Sequence, residues 1–165
     1  MKTAKNPWVQ AHKKSRFRPK YPSESVVRFI NSSFCKDRSK KKILDIGCGA
    51  GRHVKFLSEN KFRAYGVEIS KTGIYYTKKL LSQHNLKAEV TYSNMSDLPF
   101  KDNYFDATIS YGVFYYTDSK GVKNSINEMY RVMKKGGKGF INLRSTNDYR
   151  YGKGKKIEKD TFIIN

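Results

Sequence analysis

The chain has 165 residues and a formal charge of +20, with 34 Lys and Arg against 14 Asp and Glu. That length is the usual size of one domain, and 14% aromatic residues supply material for a core. No apolar run is long enough to cross a bilayer, the basic N-terminus has no hydrophobic stretch for a signal peptide, and Cys35 and Cys48 are too few for a disulfide framework, which favours a reduced, cytoplasmic setting. No group of residues has metal-ligand spacing.

Residues 1–20 are polar and basic and form an N-terminal segment, with Trp8, Phe17 and Arg18 as its hints of docking. Residues 21–165 read as one domain. Tyr21-Pro-Ser-Glu24 opens a helix with an apolar stripe of Val26, Val27, Phe29, Ile30 and Phe34. Ile43, Leu44 and Ile46 make a buried strand that runs into Gly47-Cys-Gly-Ala-Gly51, and Arg52 to Glu59 is helical. A glycine turn there brings bare backbone against a ligand, and the helix adds free N–H groups and a positive dipole end. Arg63 to Glu68 is a second strand, ending in a carboxylate about twenty residues past the turn, where a ribose-binding acid belongs. Ser70 to His84 is an amphipathic helix with Ile74, Thr77, Leu80 and Leu81 on one face, and Ala88 to Ser93 alternates as a third strand. Tyr104 to Gly112 is the fourth strand. Lys120 to Lys134 is helical, with Val122, Ile126, Met129, Val132 and Met133 inward, and Gly139 to Leu143 is the fifth strand. Arg144 to Gly154 is a long polar loop, and Thr161 to Asn165 begins a sixth strand. This alternation specifies an α/β fold with a parallel sheet covered on both faces.

The glycine spacing separates two ligand classes. A dinucleotide turn, Gly-x-Gly-x-x-Gly, requires glycine where this chain has Arg52. The third glycine comes one residue early, at Gly51, and Asp45 stands two residues before the first. Asp-x-Gly-x-Gly-x-Gly resembles motif I of the class I S-adenosylmethionine (SAM) dependent methyltransferases, of the type 11 and type 25 kind. Further landmarks follow in order across residues 40–145: Glu68, the loop Asn94-Met-Ser-Asp-Leu-Pro-Phe100, the Phe-Asp start of strand four at Phe105 and the Lys134-Lys-Gly-Gly-Lys138 turn. The resemblance implies a Rossmann-like doubly wound sheet and SAM as cofactor, bound by Asp45, Gly47, Gly49, Gly51, Glu68, Ile69, Asn94, Met95 and Tyr111. Two positions depart from the family pattern. Asn94 stands for the usual adenine-binding Asp, its amide oxygen still able to accept from the adenine amino group, and Lys135 stands for the usual Pro. Family members often fold an N-terminal segment over the cofactor, which makes Trp8, Arg18 and Tyr21 lid candidates. The family sheet runs 3-2-1-4-5-7-6. No strand seven or preceding helix is legible, so the domain is expected to lack its C-terminal strands and to expose strand five as an edge.

The acceptor pocket of such sheets lies beyond the strand carboxyl ends. Tyr115, Tyr116, Arg144, Tyr149, Arg150 and Tyr151 fall near that rim, and guanidinium groups there suit a phosphate or carboxylate. No base motif is evident. His53 is the histidine nearest the glycine turn and is read as a helix-packing or solvent-exposed residue, with His12 in the basic tail and His84 at a helix end. An already anionic acceptor atom needs no base. The segments Ser110–Tyr116 and Asn142–Phe162 resemble methyltransferases of bacterial capsule and surface-polysaccharide genes, some of which form an O-methyl phosphoramidate. That resemblance implies methylation of an anionic small molecule, a phosphoramidate or a sugar precursor. Two alternatives stay open: an RNA or DNA methyltransferase, favoured by the charge but lacking an Asn/Asp-Pro-Pro-aromatic signature at Ser110-Tyr-Gly-Val113, and a truncated, non-catalytic SAM-binding remnant. The excess lysines share A/T-rich codons with the abundant Asn, Ile and Tyr, so individual runs are read as solvated faces. No membrane partner is expected.

Overall fold

A computed structural model describes residues 6–164. Five parallel strands, β1 (Lys42–Ile46), β2 (Arg63–Glu68), β3 (Glu89–Tyr92), β4 (Phe105–Ser110) and β5 (Met133–Ile141), lie in the order β3-β2-β1-β4-β5. Five helices accompany them: α1 (Pro7–Ala11), α2 (Glu24–Ser33), α3 (Arg52–Glu59), α4 (Lys71–Gln83) and α5 (Ser119–Val132). This is the doubly wound arrangement expected from the alternation of elements.

Successive side chains of a strand point to opposite faces, and β1 uses both for burial. Ile43 packs with Val26 and Ile30 of α2 and with Val54 and Leu57 of α3 in one core. Leu44 and Ile46 turn the other way, onto Phe105, Phe114, Met129 and Val132 in a second core that includes α5. Strand order reverses at β1, between β2 and β4, so a crevice opens at its carboxyl end.

The C-terminal third differs most from the sequence reading. β5 starts at Met133, opposite Phe105, and its register then jumps so that Lys138 pairs with Ala107. The Lys134–Gly137 turn is thus a wide bulge inside the strand. The strand ends at Ile141, and Leu143, expected within it, is exposed. Met133 belongs to β5 rather than to the helix, and Ile126 is exposed while Ser125 takes the buried position on α5. Lys155–Glu158 (β6) pairs antiparallel with Thr161–Ile163 (β7) in a separate two-stranded sheet, where the start of a sixth strand of the main sheet was expected from Thr161. Glu158 ties this hairpin to the start of α5, accepting from Ser119 N–H (2.6 Å) and Ser119 Oγ (2.7 Å). Among the described residues β5 pairs only with β4. No described helix is long and apolar enough to cross a membrane.

Candidate cofactor and acceptor site

The turn after β1 is locked to the end of β2 by backbone. Gly47 and Cys48 N–H both donate to Val67 C=O (2.8 and 3.0 Å), and Gly51 N–H closes onto Cys48 C=O (2.9 Å). Gly51 caps α3 at φ +89°, and a Cβ there would lie 2.6 Å from Thr77 Cγ2. Its task is to let α4 pack against the turn, and Thr77 Oγ1 donates back to Gly49 C=O at 2.9 Å. Gly49 is different. It also has positive φ, but a Cβ there would meet only His12 Nε2, at 3.4 Å. Its bare face is therefore turned toward the crevice, as a cradle for a ligand requires.

Glu68 is buried, and both its carboxylate oxygens hold backbone: Oε2 accepts from Gly49 N–H (2.9 Å) and Oε1 from Ser70 N–H (2.8 Å). A carboxylate offers about four lone-pair sites, so each oxygen keeps one for a ligand hydroxyl. The two bonds fix the carboxylate in place and join the glycine turn to the start of α4.

The crevice is a cavity of about 580 Å³. Its floor and walls include Gly47, Gly49, Glu68, Ile69, Asn94 and Met95, and its far end reaches Tyr116. Asn94 Oδ1 accepts from Ser96 N–H (3.1 Å), so the amide expected at the adenine also shapes its own loop. Asp45, Gly51 and Tyr111 do not line the cavity. Tyr111 packs edge-on to His53 (centroids 5.7 Å) under the Arg52 guanidinium (5.1 Å).

Asp45 lies beneath the turn. Burial pushes its carboxyl up to about 7, against the pull of Arg52. Its Oδ2 has no hydrogen-bond partner and lies 3.7 Å from His53 Nδ1, too far for a hydrogen bond. His53 Nε2 accepts from Ser23 N–H (3.1 Å), which puts the proton of the neutral ring on Nδ1, facing Asp45. Burial pushes His53 down to about 3, so this contact is not an ion pair near neutral pH.

The N-terminal segment supplies two residues that sequence reasoning missed, Asn6 and His12. Asn6 Nδ2 donates to Ile69 C=O (2.6 Å) while Asn6 Oδ1 caps α1 at Trp8 N–H (3.0 Å). This seats α1 over the cavity, with Trp8 edge-on to Tyr116 (4.6 Å) and His12 on the cavity wall beside Gly49 and Glu68. His12 is 5% exposed, and its Nδ1 has no partner. Burial lowers its pKa, Glu68 opposing and Arg18 assisting, so the ring is neutral near pH 7. Trp8, one lid candidate, lines the cavity; Arg18 and Tyr21, the others, line a separate groove. Only fold-back of the tail brings His12 to the turn, and no sequence spacing signals that.

Of the expected acceptor residues, Tyr116 alone lines the cavity. Arg144 stands behind it, 4.0 Å over the Tyr115 ring and 3.5 Å from Tyr116 Oη. Arg150 is committed to Asp148 through two side-chain bonds of 2.8 Å, Tyr149 is exposed, and Tyr151 bonds Asp160 (2.5 Å) and packs on Phe162 in the hairpin. These three hold the C-terminal loop together instead of facing the cavity. No cluster of metal-ligand residues occurs among the described residues.

Residues 43–137 match the family model described as a methyltransferase domain, more than half of the chain. The chain belongs to that family. It is 30% identical over 124 residues to the Mus musculus protein named "Probable tRNA methyltransferase 9B" (74% of this chain, 25% of that one). It is 33% identical over 108 residues to 2-phytyl-1,4-naphtoquinone methyltransferase of Nostoc (59% and 44%). The chain thus spans less than half the length of these relatives. Among solved structures, a proposed S-adenosyl-L-methionine-dependent methyltransferase from Methanococcus maripaludis superposes with TM-score 0.69 at 24% identity, over 86% of this chain and 66% of that one. The cyclase SpnF superposes at 0.62 with 22% identity, over 70% and 43%, so the fold alone does not fix a reaction.

The cofactor of this class I methyltransferase family is SAM, and the residues present fit it. The bare Gly49 face admits close backbone approach. The remaining Glu68 lone pairs suit a ribose diol, and the apolar faces of Ile69 and Met95 suit an adenine ring.

Proposed function

We propose that this methyltransferase domain transfers a methyl group from SAM to a small anionic acceptor that enters beside Tyr116, with Arg144 as counter-charge. One observation carries the reading: Arg144 is held over Tyr115 and against Tyr116 Oη at the end of the cofactor cavity, and has no carboxylate partner among the described residues. A fixed guanidinium without an acid binds oxyanions through paired hydrogen bonds.

When bound, SAM supplies a sulfonium methyl, an electrophile that needs little activation. The chain's residues must then hold and orient the acceptor and keep water out, and proximity alone lowers much of the barrier. Trp8 and Tyr116 form an apolar gate for this purpose. Burial and the neighbouring Tyr115 raise the Tyr116 phenol, so it keeps its proton and acts as a donor rather than a base. An acceptor oxygen that is already charged suits a site with this character, and a phosphoramidate or an acidic sugar precursor is the specific acceptor proposed.

A nucleic-acid acceptor is the second reading, favoured by the likeness to tRNA methyltransferase 9B. Incubation with labelled SAM against phosphorylated sugars, phosphoramidates and transfer RNA tests both. Methylation of the small acceptors, weakened about tenfold in Arg144→Ala, supports the first reading; label entering RNA alone overturns it.

A further inference from the structure

A second cavity, of about 690 Å³, lies on the outer helical face and shares no lining residue with the cofactor cavity. One wall is the face of α3 bearing Arg52, Lys55 and Glu59, and the facing wall is the stripe of α4 with Tyr76, Lys79 and Gln83. Both sets are spaced i, i+3, i+7, which at about 1.5 Å per residue makes each wall roughly 10 Å long. The segment Ser15–Pro22 closes one end with Arg18, Lys20 and Tyr21.

The charge of this groove is unbalanced. Glu59 is the one acid among its lining residues, and Lys55 occupies it at 2.6 Å. Arg18, Lys20, Arg52 and Lys79 have no carboxylate partner among the described residues. Two of these cations are held in place. The Arg18 guanidinium stacks on the Tyr76 ring at 4.0 Å, and Arg52 donates to Tyr21 C=O (3.3 Å) while lying over Tyr111. Cations lining one groove repel unless an anion joins them, and stacked guanidinium forks are shaped for phosphate oxygens. Beside them Tyr21 is 79% exposed, and an exposed phenol ring can stack on a flat group. The volume lies within the range of about 300–1,000 Å³ common for ligand pockets.

We propose that this groove is a binding site for nucleotide phosphates, separate from the SAM cavity, in which Arg18, Lys20, Arg52 and Lys79 take phosphate oxygens and Tyr21 takes the base. The same chemistry comes from a free nucleotide or from a nucleotide unit of single-stranded RNA. Neither source depends on Arg144 or on the identity of the methyl acceptor.

Fluorescence anisotropy with a fluorescent nucleoside diphosphate and, separately, a labelled single-stranded RNA oligonucleotide tests the site at about 50 mM salt and upward. Binding of at least one probe is expected, weakened tenfold or more in the Lys20→Glu/Lys79→Glu double variant and several-fold in Tyr21→Ala, with S-adenosylhomocysteine affinity unchanged. If RNA is the source, the slope of log affinity against log salt becomes shallower by about 0.7 for each phosphate that the variant no longer neutralises. Nucleotide binding without RNA binding identifies the free ligand, and the reverse identifies the polymer. Absence of binding by both probes, or equal affinity in wild type and the double variant, overturns the proposal.

Discussion

β1 and β5 flank the same strand, β4, in very different surroundings. β1 is paired on both sides and buries four of its five residues; β5, among the described residues, pairs on one side, is broken by a bulge, and has no fully buried residue. The groups at their carboxyl ends differ in the same way. At β1 and β2 the glycine turn and Glu68 are fixed by short backbone hydrogen bonds. Beyond β4 and β5, aromatic rings, one arginine and a polar loop carry the site. Backbone-fixed cradles lose little entropy on binding, which suits a constant cofactor, whereas exposed rings and a loop leave the acceptor end adjustable. The exposed edge anticipated for β5 is blunted by Lys134, Lys135 and Lys138 and by the bulge itself, devices that discourage strand-to-strand association.

Among side-chain truncations the largest effect should come from Glu68. Glu68→Ala removes a charged acceptor for ribose and releases Gly49 and Ser70, and is expected to cost about 1.5–3 kcal/mol of S-adenosylhomocysteine binding, at least tenfold in Kd. Arg144→Ala probes the other half. It should lower kcat/KM for an anionic acceptor about tenfold and leave cofactor affinity unchanged, since the guanidinium stands outside the cofactor cavity. A parallel loss in both measurements would dissolve the contrast between the halves.

His12→Ala sharpens the cofactor side. If Nε2, the ring nitrogen beside Gly49, meets the bound ligand, affinity should fall by about 0.5–1.5 kcal/mol, whereas a purely packing role would lower Tm and leave Kd alone.

The smallest effect concerns Asp45 and His53, whose pH dependences oppose each other. The Asp45 carboxyl, raised by burial to about 7, keeps a proton that the unfolded chain gives up near its ordinary value of about 4, so stability falls as pH rises across that window. His53, lowered to about 3, stays neutral while the unfolded imidazole protonates near 6.5, so stability rises with pH over that range. These two contributions should nearly cancel between pH 4 and 6.5, leaving the rise with pH that the lowered His12 adds. Asp45→Asn removes the first slope, so its Tm should climb across that window and exceed the wild-type value by a few degrees above pH 7. Parallel profiles for the two proteins would show that the pair does not act in this way.

The cofactor half was legible because its signals are local. Glycines at alternate positions, an acid at a strand end and alternating apolar residues each state a backbone requirement within a few residues. Asp45 and Gly51 belong to that signature, yet they act beneath the cavity, one as a buried carboxyl and the other as the close approach that admits Thr77. The acceptor half was less legible because its contacts are set by fold-back. Nothing near His12 indicates that α1 will lie on Ile69, and the arginine of Asp148-Tyr-Arg150 looks free until Asp148 is seen to hold it. Lys155–Glu158 is hard to recognise as a strand for a related reason, being a lysine-rich stretch whose pairing is decided by Asp160 at positive φ in the turn that follows.

Binding of SAM in the crevice above Gly49 and Glu68 underlies the role of every residue on the cofactor side. Calorimetric titration of S-adenosylhomocysteine into the wild-type chain and into Gly49→Val, with circular dichroism to confirm the fold, tests it most directly. One-site binding by the wild type, abolished in a folded Gly49→Val, is the expected result. Equal binding by the two folded proteins, or none by the wild type, would contradict the account.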